Sequence, residues 1–265
     1  MAGAAAVPAS IPVLVTGASS GIGAEFARRF AERGHPLTVV ARRVDRLEQL
    51  AAELRSRHNV AVDVVEADLE TAKGRNVVAR LIRQRSPWVL VNNAGYGSRG
   101  RLADLDAGRE RAEVQLNVVA VHELTLAALP GLIEAQGGGV INLASTAAFQ
   151  PLPFMATYGG TKAFVLSFTE ALAEELHGSG ARAMALCPGP VRTEFGDVAG
   201  VQEYMDFARP MSAERCTTIA MRAFDRGSAV CVPGALNAAG TFGARLAPRV
   251  AVRKVTSQIF KPRGG

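Results

Sequence analysis

A chain of 265 residues, 48% hydrophobic and 20% charged, with 27 Gly and 13 Pro, fits one large soluble core and excludes disorder, collagen-like repeats and a disulfide scaffold. The formal net charge of +6 does not describe a nucleic-acid surface: no acid follows Asp225, residues 227–265 carry Arg245, Arg249, Arg253, Lys254, Lys261 and Arg263, and the preceding chain balances. Cys187, Cys216 and Cys231 are scattered without metal-ligand spacing, so no metal site is expected and the reducing cytoplasm is the expected compartment. Only four of the 30 cations are lysines, which suggests a GC-rich bacterial genome.

Residues 1–10 read as a loose Ala-rich leader. No Lys or Arg forms a signal-peptide start, Pro8 and Pro12 interrupt the stretch, and it runs into glycines instead of a membrane-length apolar segment. Residues 11–265 then read as one domain. Predicted strands cover Ile11 to Thr16, Leu37 to Ala41, Ala61 to Glu66, Trp88 to Val91, Val140 to Ala144, Arg182 to Cys187 and Ala229 to Val232. Predicted helices alternate with them: Gly21 to Arg33, Val44 to Arg57, Lys73 to Arg85, Ala107 to Glu134, Ala156 to His177 and Ala213 to Arg226. Such alternation is the signature of an α/β fold, a doubly wound, seven-stranded parallel sheet with helices on both faces. The irregular stretch 188–211 holds Phe195, Tyr204, Met205 and Phe207 and is expected to act as a lid, or else to pack on the surface.

Thr16-Gly17-Ala18-Ser19-Ser20-Gly21-Ile22-Gly23 lies between the first strand and a helix, where glycines let a pyrophosphate approach the backbone and a helix start offers free N–H groups. At the end of the second strand, where an acidic side chain would hold the ribose of NAD, stand Ala41, Arg42 and Arg43. A planar, permanently charged guanidinium suits a 2′-phosphate, so NADP(H) is favoured over NAD(H). Tyr158 and Lys162, four apart on one helix face, form a pair in which the ammonium would favour the phenolate and lower the tyrosine pKa. Ser145 ends the fifth strand at the mouth of the sheet, where its alternative role is a simple cap.

These residues, with Asp68-Leu69, Asn92-Asn93-Ala94-Gly95, Asn117 and Pro188-Gly189-Pro190-Val191-Arg192-Thr193, make the chain resemble the short-chain dehydrogenases/reductases of the classical type over nearly its whole length. The resemblance implies a Rossmann fold with Tyr158 as acid/base, Lys162 on the nicotinamide ribose, Ser145 holding the substrate oxygen and Asn117 propping a relay water. It makes Gly17, Ser19, Ser20, Gly21, Ile22 and Gly23 the phosphate turn, Asp68 and Leu69 adenine neighbours, and Asn93, Ala94 and Gly95 a wall beside the cofactor. Pro188, Gly189, Val191 and Thr193 would meet the nicotinamide end.

The implied reaction is carbonyl reduction, or the reverse, on a small hydrophobic ketone, aldehyde, steroid-like compound or 3-oxoacyl group. Tyr96, Phe149, Phe154, Phe195, Tyr204 and Phe207 are the candidate substrate contacts. Two other classes compete: a non-catalytic NADPH-binding regulator, and a peripheral membrane or partner-binding protein using residues 243–265. In the latter, Val252, Val255 and Ile259 would form a stripe beside Arg249 and Arg253, on a helix that Pro248 limits to about three turns. The resemblance also implies a homo-oligomer, dimer or tetramer.

Overall fold

Runs of apolar, largely β-branched residues between the helices become strands, buried on both sides in all but the edge strand β3: Val13–Thr16 (β1), Leu37–Ala41 (β2), Val62–Glu66 (β3), Val89–Asn92 (β4), Gly139–Leu143 (β5) and Arg182–Leu186 (β6). The computed structural model describes residues 6–85 and 88–262, the side chains of Asp206 and Phe207 excepted. With Val230–Cys231 (β9) the strands form one parallel sheet of order β3-β2-β1-β4-β5-β6-β9. The connecting helices are Gly21–Glu32 (α1), Val44–His58 (α2), Ala72–Gln84 (α3), Ala107–Val114 (α4), Val121–Glu134 (α5), Ala156–Glu175 (α6) and Ala213–Asp225 (α9).

Alternation along each strand divides the core between the two faces. Val13 and Val15 of β1 join Phe26, Phe30, Leu47 and Phe224 beneath α1, α2 and α9. Leu14, between them, faces Ile82, Trp88, Leu124 and Leu132 with α3 and α5. The strand order reverses between the parallel neighbours β1 and β4, whose residues Val13 and Val89 pair, so a crevice opens at their carboxyl ends.

The single long helix expected over residues 107–134 is interrupted. Gln115–Ala120 between α4 and α5 is a π turn, an irregularity often found where a helix serves a site, and it contains Asn117. The stretch 188–211 is more ordered than expected, holding Val191–Arg192 (β7), Phe195–Val198 (α7), Gln202–Phe207 (α8) and Met211 of Met211–Ser212 (β8), with β7 and β8 paired. Two helices close the described chain, Ala235–Leu246 (α10) and Arg249–Phe260 (α11), the latter three turns long and starting after Pro248. Its body-facing residues are Thr256 and Phe260, with Val252 half-buried, whereas Val255 and Ile259 are exposed. The expected Val252–Val255–Ile259 stripe is therefore rotated. A threonine can be buried here because its hydroxyl donates to the Val252 carbonyl at 2.8 Å and lies 3.1 Å from that of Pro151.

Candidate active site

The turn after β1 is built for close backbone approach. Gly17 has φ of +65°, and a Cβ there would stand 2.8 Å from Ala94 Cα; at Gly23 a Cβ would collide with the Gly17 carbonyl. Thr16 Oγ1 accepts from the backbone N–H groups of Asn93 and Ala94 at 3.0 and 3.1 Å, and Asn93 Nδ2 donates to the Thr16 carbonyl at 2.9 Å. Asn93 thus staples the turn to β4. Asn92 does not reach the cleft: its Nδ2 donates to Asn142 Oδ1 at 2.9 Å on the adjacent strand, a buried cross-strand pair.

Helix α1 begins at this turn with no acidic residue in its first turn and no side chain capping it, which leaves its N-terminal N–H groups for an anion. Arg43 donates to Ser19 Oγ and Ser20 Oγ, both at 3.0 Å, and to Glu194 at 2.9 Å; Arg46 also pairs with Glu194. Arg42 pairs with Glu70 at 2.9 Å. The hydrogen bonds of Arg46 and Arg43 hold the Glu194 carboxyl down at about 2. A crowded glycine turn, an open helix start and an adjacent guanidinium fit a phosphorylated dinucleotide.

A cleft of about 500 Å³ runs from these arginines to the end of β5. Gly17, Ser19, Ser20, Gly21, Ile22, Arg42, Arg43, Asp68, Leu69, Asn93, Ala94 and Gly95 line it, as do Pro188, Gly189, Val191 and Thr193. Gly23 and Asn117 do not line it; they support it from behind. Ser145, Tyr158 and Lys162 face into it.

Ser145 is both cap and wall: its Oγ accepts from the Ala147 N–H at 3.1 Å, starting the short 3₁₀ turn Thr146–Phe149, while the residue lines the cleft. Lys162 Nζ donates to the Leu143 carbonyl at 2.7 Å and lies 5.8 Å from the centre of the Tyr158 ring. Asn117 Nδ2 donates to the Tyr96 carbonyl at 2.8 Å and to Thr161 Oγ1 at 3.1 Å, and its Oδ1 accepts from the Tyr96 N–H at 3.2 Å. All three hydrogen bonds of that clasp are internal to the protein. Asn117 therefore fixes the strand-end loop against the π turn and α6.

The expectation that Lys162 lowers the Tyr158 pKa is not met in the chain alone. Burial pushes the phenol up to about 12, opposed by hydrogen bonding to Ser145. Burial likewise pushes Lys162 down to about 8, with Glu113 pulling upward. Both groups have lost water, and desolvation is the largest cause of each shift.

Of the expected substrate contacts, Tyr96, Phe195 and Tyr204 line the cleft, and the Phe195 ring packs 5.2 Å from that of Tyr158. Phe149 and Phe154 do not. Phe149 lies beneath Arg245, 5.0 Å from its guanidinium, and Phe154, at φ of +66°, packs against the apolar cluster of Leu152, Met155 and Phe260 that walls the cleft without lining it itself. The Phe207 side chain lies outside the described residues. The sequence reading missed Gln150, Leu152, Met155, Val198 and Val201, together with Thr256, Ile259 and Phe260 of α11. Their signal was faint, because a C-terminal helix reaches the cleft only through the fold. Arg99 holds it there by donating to the Phe260 and Lys261 carbonyls, both at 2.9 Å.

The description of the short chain dehydrogenase family matches residues 12–203, and the chain belongs to that family, whose members bind a nicotinamide cofactor. It is 37% identical over 211 residues to sulfoacetaldehyde reductase 2 of Chromohalobacter salexigens, covering 76% of this chain and 83% of that one. It is 39% identical over 198 residues to serine 3-dehydrogenase of Agrobacterium fabrum, covering 73% and 78%. Among solved structures, a short-chain dehydrogenase of Sphingobium yanoikuyae in complex with NADPH superposes with a TM-score of 0.82 at 34% identity, covering 96% of this chain and 98% of that one. The bulky-bulky ketone specific alcohol dehydrogenase of Comamonas testosteroni gives 0.78 at 31%, covering 97% and 98%.

Proposed function

We propose that this chain is an NADP(H)-dependent oxidoreductase that reduces the carbonyl of a bulky apolar ketone, aldehyde or 3-oxoacyl compound, or runs the reverse reaction. One observation carries this reading: the cleft has Arg43, Ser19 and Ser20 at one end, Ser145, Tyr158 and Lys162 in the middle, and an apolar wall of Met155, Phe195, Tyr204 and Phe260 beyond. The NADPH complex of the Sphingobium neighbour supports the cofactor, and the ketone preference of the Comamonas neighbour supports the substrate class.

The nicotinamide supplies a hydride to the carbonyl carbon. Ser145 Oγ donates to the carbonyl oxygen as negative charge develops there, and Tyr158 delivers its proton to the same oxygen. A phenol kept at about 12 stays protonated at neutral pH and is ready to donate; the Lys162 ammonium stabilises the phenolate left behind. The packed Phe195 ring excludes water from the phenol, strengthening each of these interactions.

A reductase for a small anionic aldehyde, the reading that the Chromohalobacter relative raises, would want a cation at the substrate end. Among the described lining residues the cations are Arg42, Arg43 and Lys162, and none lies in the apolar wall. The test is NADPH oxidation with bulky apolar ketones, 3-oxoacyl thioesters and sulfoacetaldehyde. Turnover confined to the first two classes is expected, and a preference for sulfoacetaldehyde overturns the substrate assignment. A reducing compartment such as the cytoplasm is supported by three cysteines buried as free thiols. The exposed Leu126, Ile133 and Phe164 on α5 and α6 are the surface through which a homo-oligomer would form.

A further inference from the structure

Behind the catalytic lysine lies a carboxyl that the chemistry above does not use. Glu113 is fully buried, and neither of its oxygens meets a donor at hydrogen-bond geometry. A buried carboxyl without a donor is costly, so its neighbours should explain it. On the face of α4 and the π turn that meets α6, Glu110 accepts from Thr157 Oγ1, and seven residues on Asn117 donates to Thr161 Oγ1. Glu113 lies between those two contacts, on the helix face opposite the segment that carries Tyr158 and Lys162.

Among the described residues, its own helix brings Glu110 and Arg109, the loop after β4 brings Tyr96 and Ser98, and α6 brings Lys162 and Tyr158. Arg109 is occupied, its Nε donating to Ser98 Oγ at 3.3 Å and its guanidinium to the Val198 carbonyl at 3.0 Å. Ser98 is near enough to steady the carboxylate without reaching hydrogen-bond geometry. Lys162, in turn, has the Leu143 carbonyl as its hydrogen-bond partner, and among the described residues Glu113 is the carboxylate that stabilises its charge.

We propose that Glu113 is the buried counter-charge of Lys162, a positioning residue that keeps the lysine cationic at neutral pH and so keeps Tyr158 usable as an acid/base. It acts through Lys162 and touches neither substrate nor cofactor. Burial raises Glu113 to about 7 and lowers Lys162 to about 8, so both are charged in the interval between. Below it Glu113 takes up a proton; above it Lys162 loses one. The inference rests on the acid/base role given to Tyr158, yet it is testable without turnover.

The chain has four lysines, so selective ¹⁵N labelling and removal of one signal by Lys162→Met assign the Lys162 ammonium. Its titration in Glu113→Gln is expected to move down by about one pH unit, and in Glu113→Asp to stay within a few tenths, because only the former removes the charge. In carbonyl reduction the limb at which activity falls with rising pH should shift downward with it, at unchanged NADPH affinity. An unmoved Lys162 midpoint in folded Glu113→Gln overturns the proposal, even if substrate turnover is found. Should that variant fail to fold, the wild-type curve decides: a second step near pH 7, from Glu113 ionising beside the ammonium, is expected, and a single step overturns it.

Discussion

Lys162 Nζ donates to the Leu143 carbonyl at 2.7 Å, tying the helix that carries Tyr158 to the strand that leads into Ser145. A long, flexible side chain is thereby held in one place, which matters because proton transfer demands fixed distances. Fixing it costs stability, since the ammonium is buried.

That cost has a pH signature. Lys162 is held at about 8 against an ordinary 10.5, so between these values the unfolded chain binds more protons and stability rises with pH. Lys162→Met removes a penalty of about 3 kcal/mol present below pH 8, less about 1 kcal/mol for the lost hydrogen bond. Urea unfolding should show the variant more stable at pH 6.5 and equal to wild type near pH 10. A constant difference at both values would contradict the burial account.

Arg43 is the group whose loss should separate the two cofactors. It holds Ser19 and Ser20 beside the glycine turn, where the 2′-phosphate is proposed to sit. Arg43→Ala should weaken NADPH roughly 10- to 100-fold, the worth of one or two charge-assisted hydrogen bonds, and change NADH less than about threefold. Fluorescence titration with both cofactors checks it; equal loss for both would place the phosphate elsewhere.

Glu194 already occupies Arg43 and Arg46 in the free chain. A phosphate arriving at Arg43 must displace that carboxylate and tolerate its charge. Glu194→Gln should therefore tighten NADPH about two- to fivefold, leave NADH unchanged and alter stability by less than about 1 kcal/mol, since the pair is exposed. Weaker NADPH binding in the variant would show instead that the bridge holds the cofactor in.

Phe260 closes the apolar end, its ring 4.8 Å from that of Tyr204. Phe260→Ala should lower kcat/KM for bulky ketones about 10- to 100-fold through KM, with NADPH affinity unchanged. An equal fall for small aldehydes would show that the ring supports the lid and not the substrate.

The sheet and helices α1, α2, α3, α6 and α9 were legible because their signals are local: β-branched runs, helix spacing and glycine turns each act over a few residues. The nucleotide turn and the Tyr158–Lys162 pair were legible for the same reason. Glu113 was not, since an acid on a helix gives no sign that it faces a buried lysine 49 positions away. Nor was the place of Phe149, whose aromatic character is satisfied under Arg245 as well as it would be by a ligand. The helix over residues 107–134 was legible as a helix, but its π turn at Asn117 is set by the clasp to Tyr96 and Thr161, contacts the spacing does not encode.

The central claim is that Tyr158 delivers the proton in carbonyl reduction, and Tyr158→Phe tests it most directly. The variant keeps the ring against Phe195 and removes only the hydroxyl. NADPH oxidation with the best ketone of the panel should fall by roughly 10²- to 10⁴-fold while NADPH affinity stays within about twofold. Turnover within tenfold of wild type, at intact cofactor binding, would contradict the assignment.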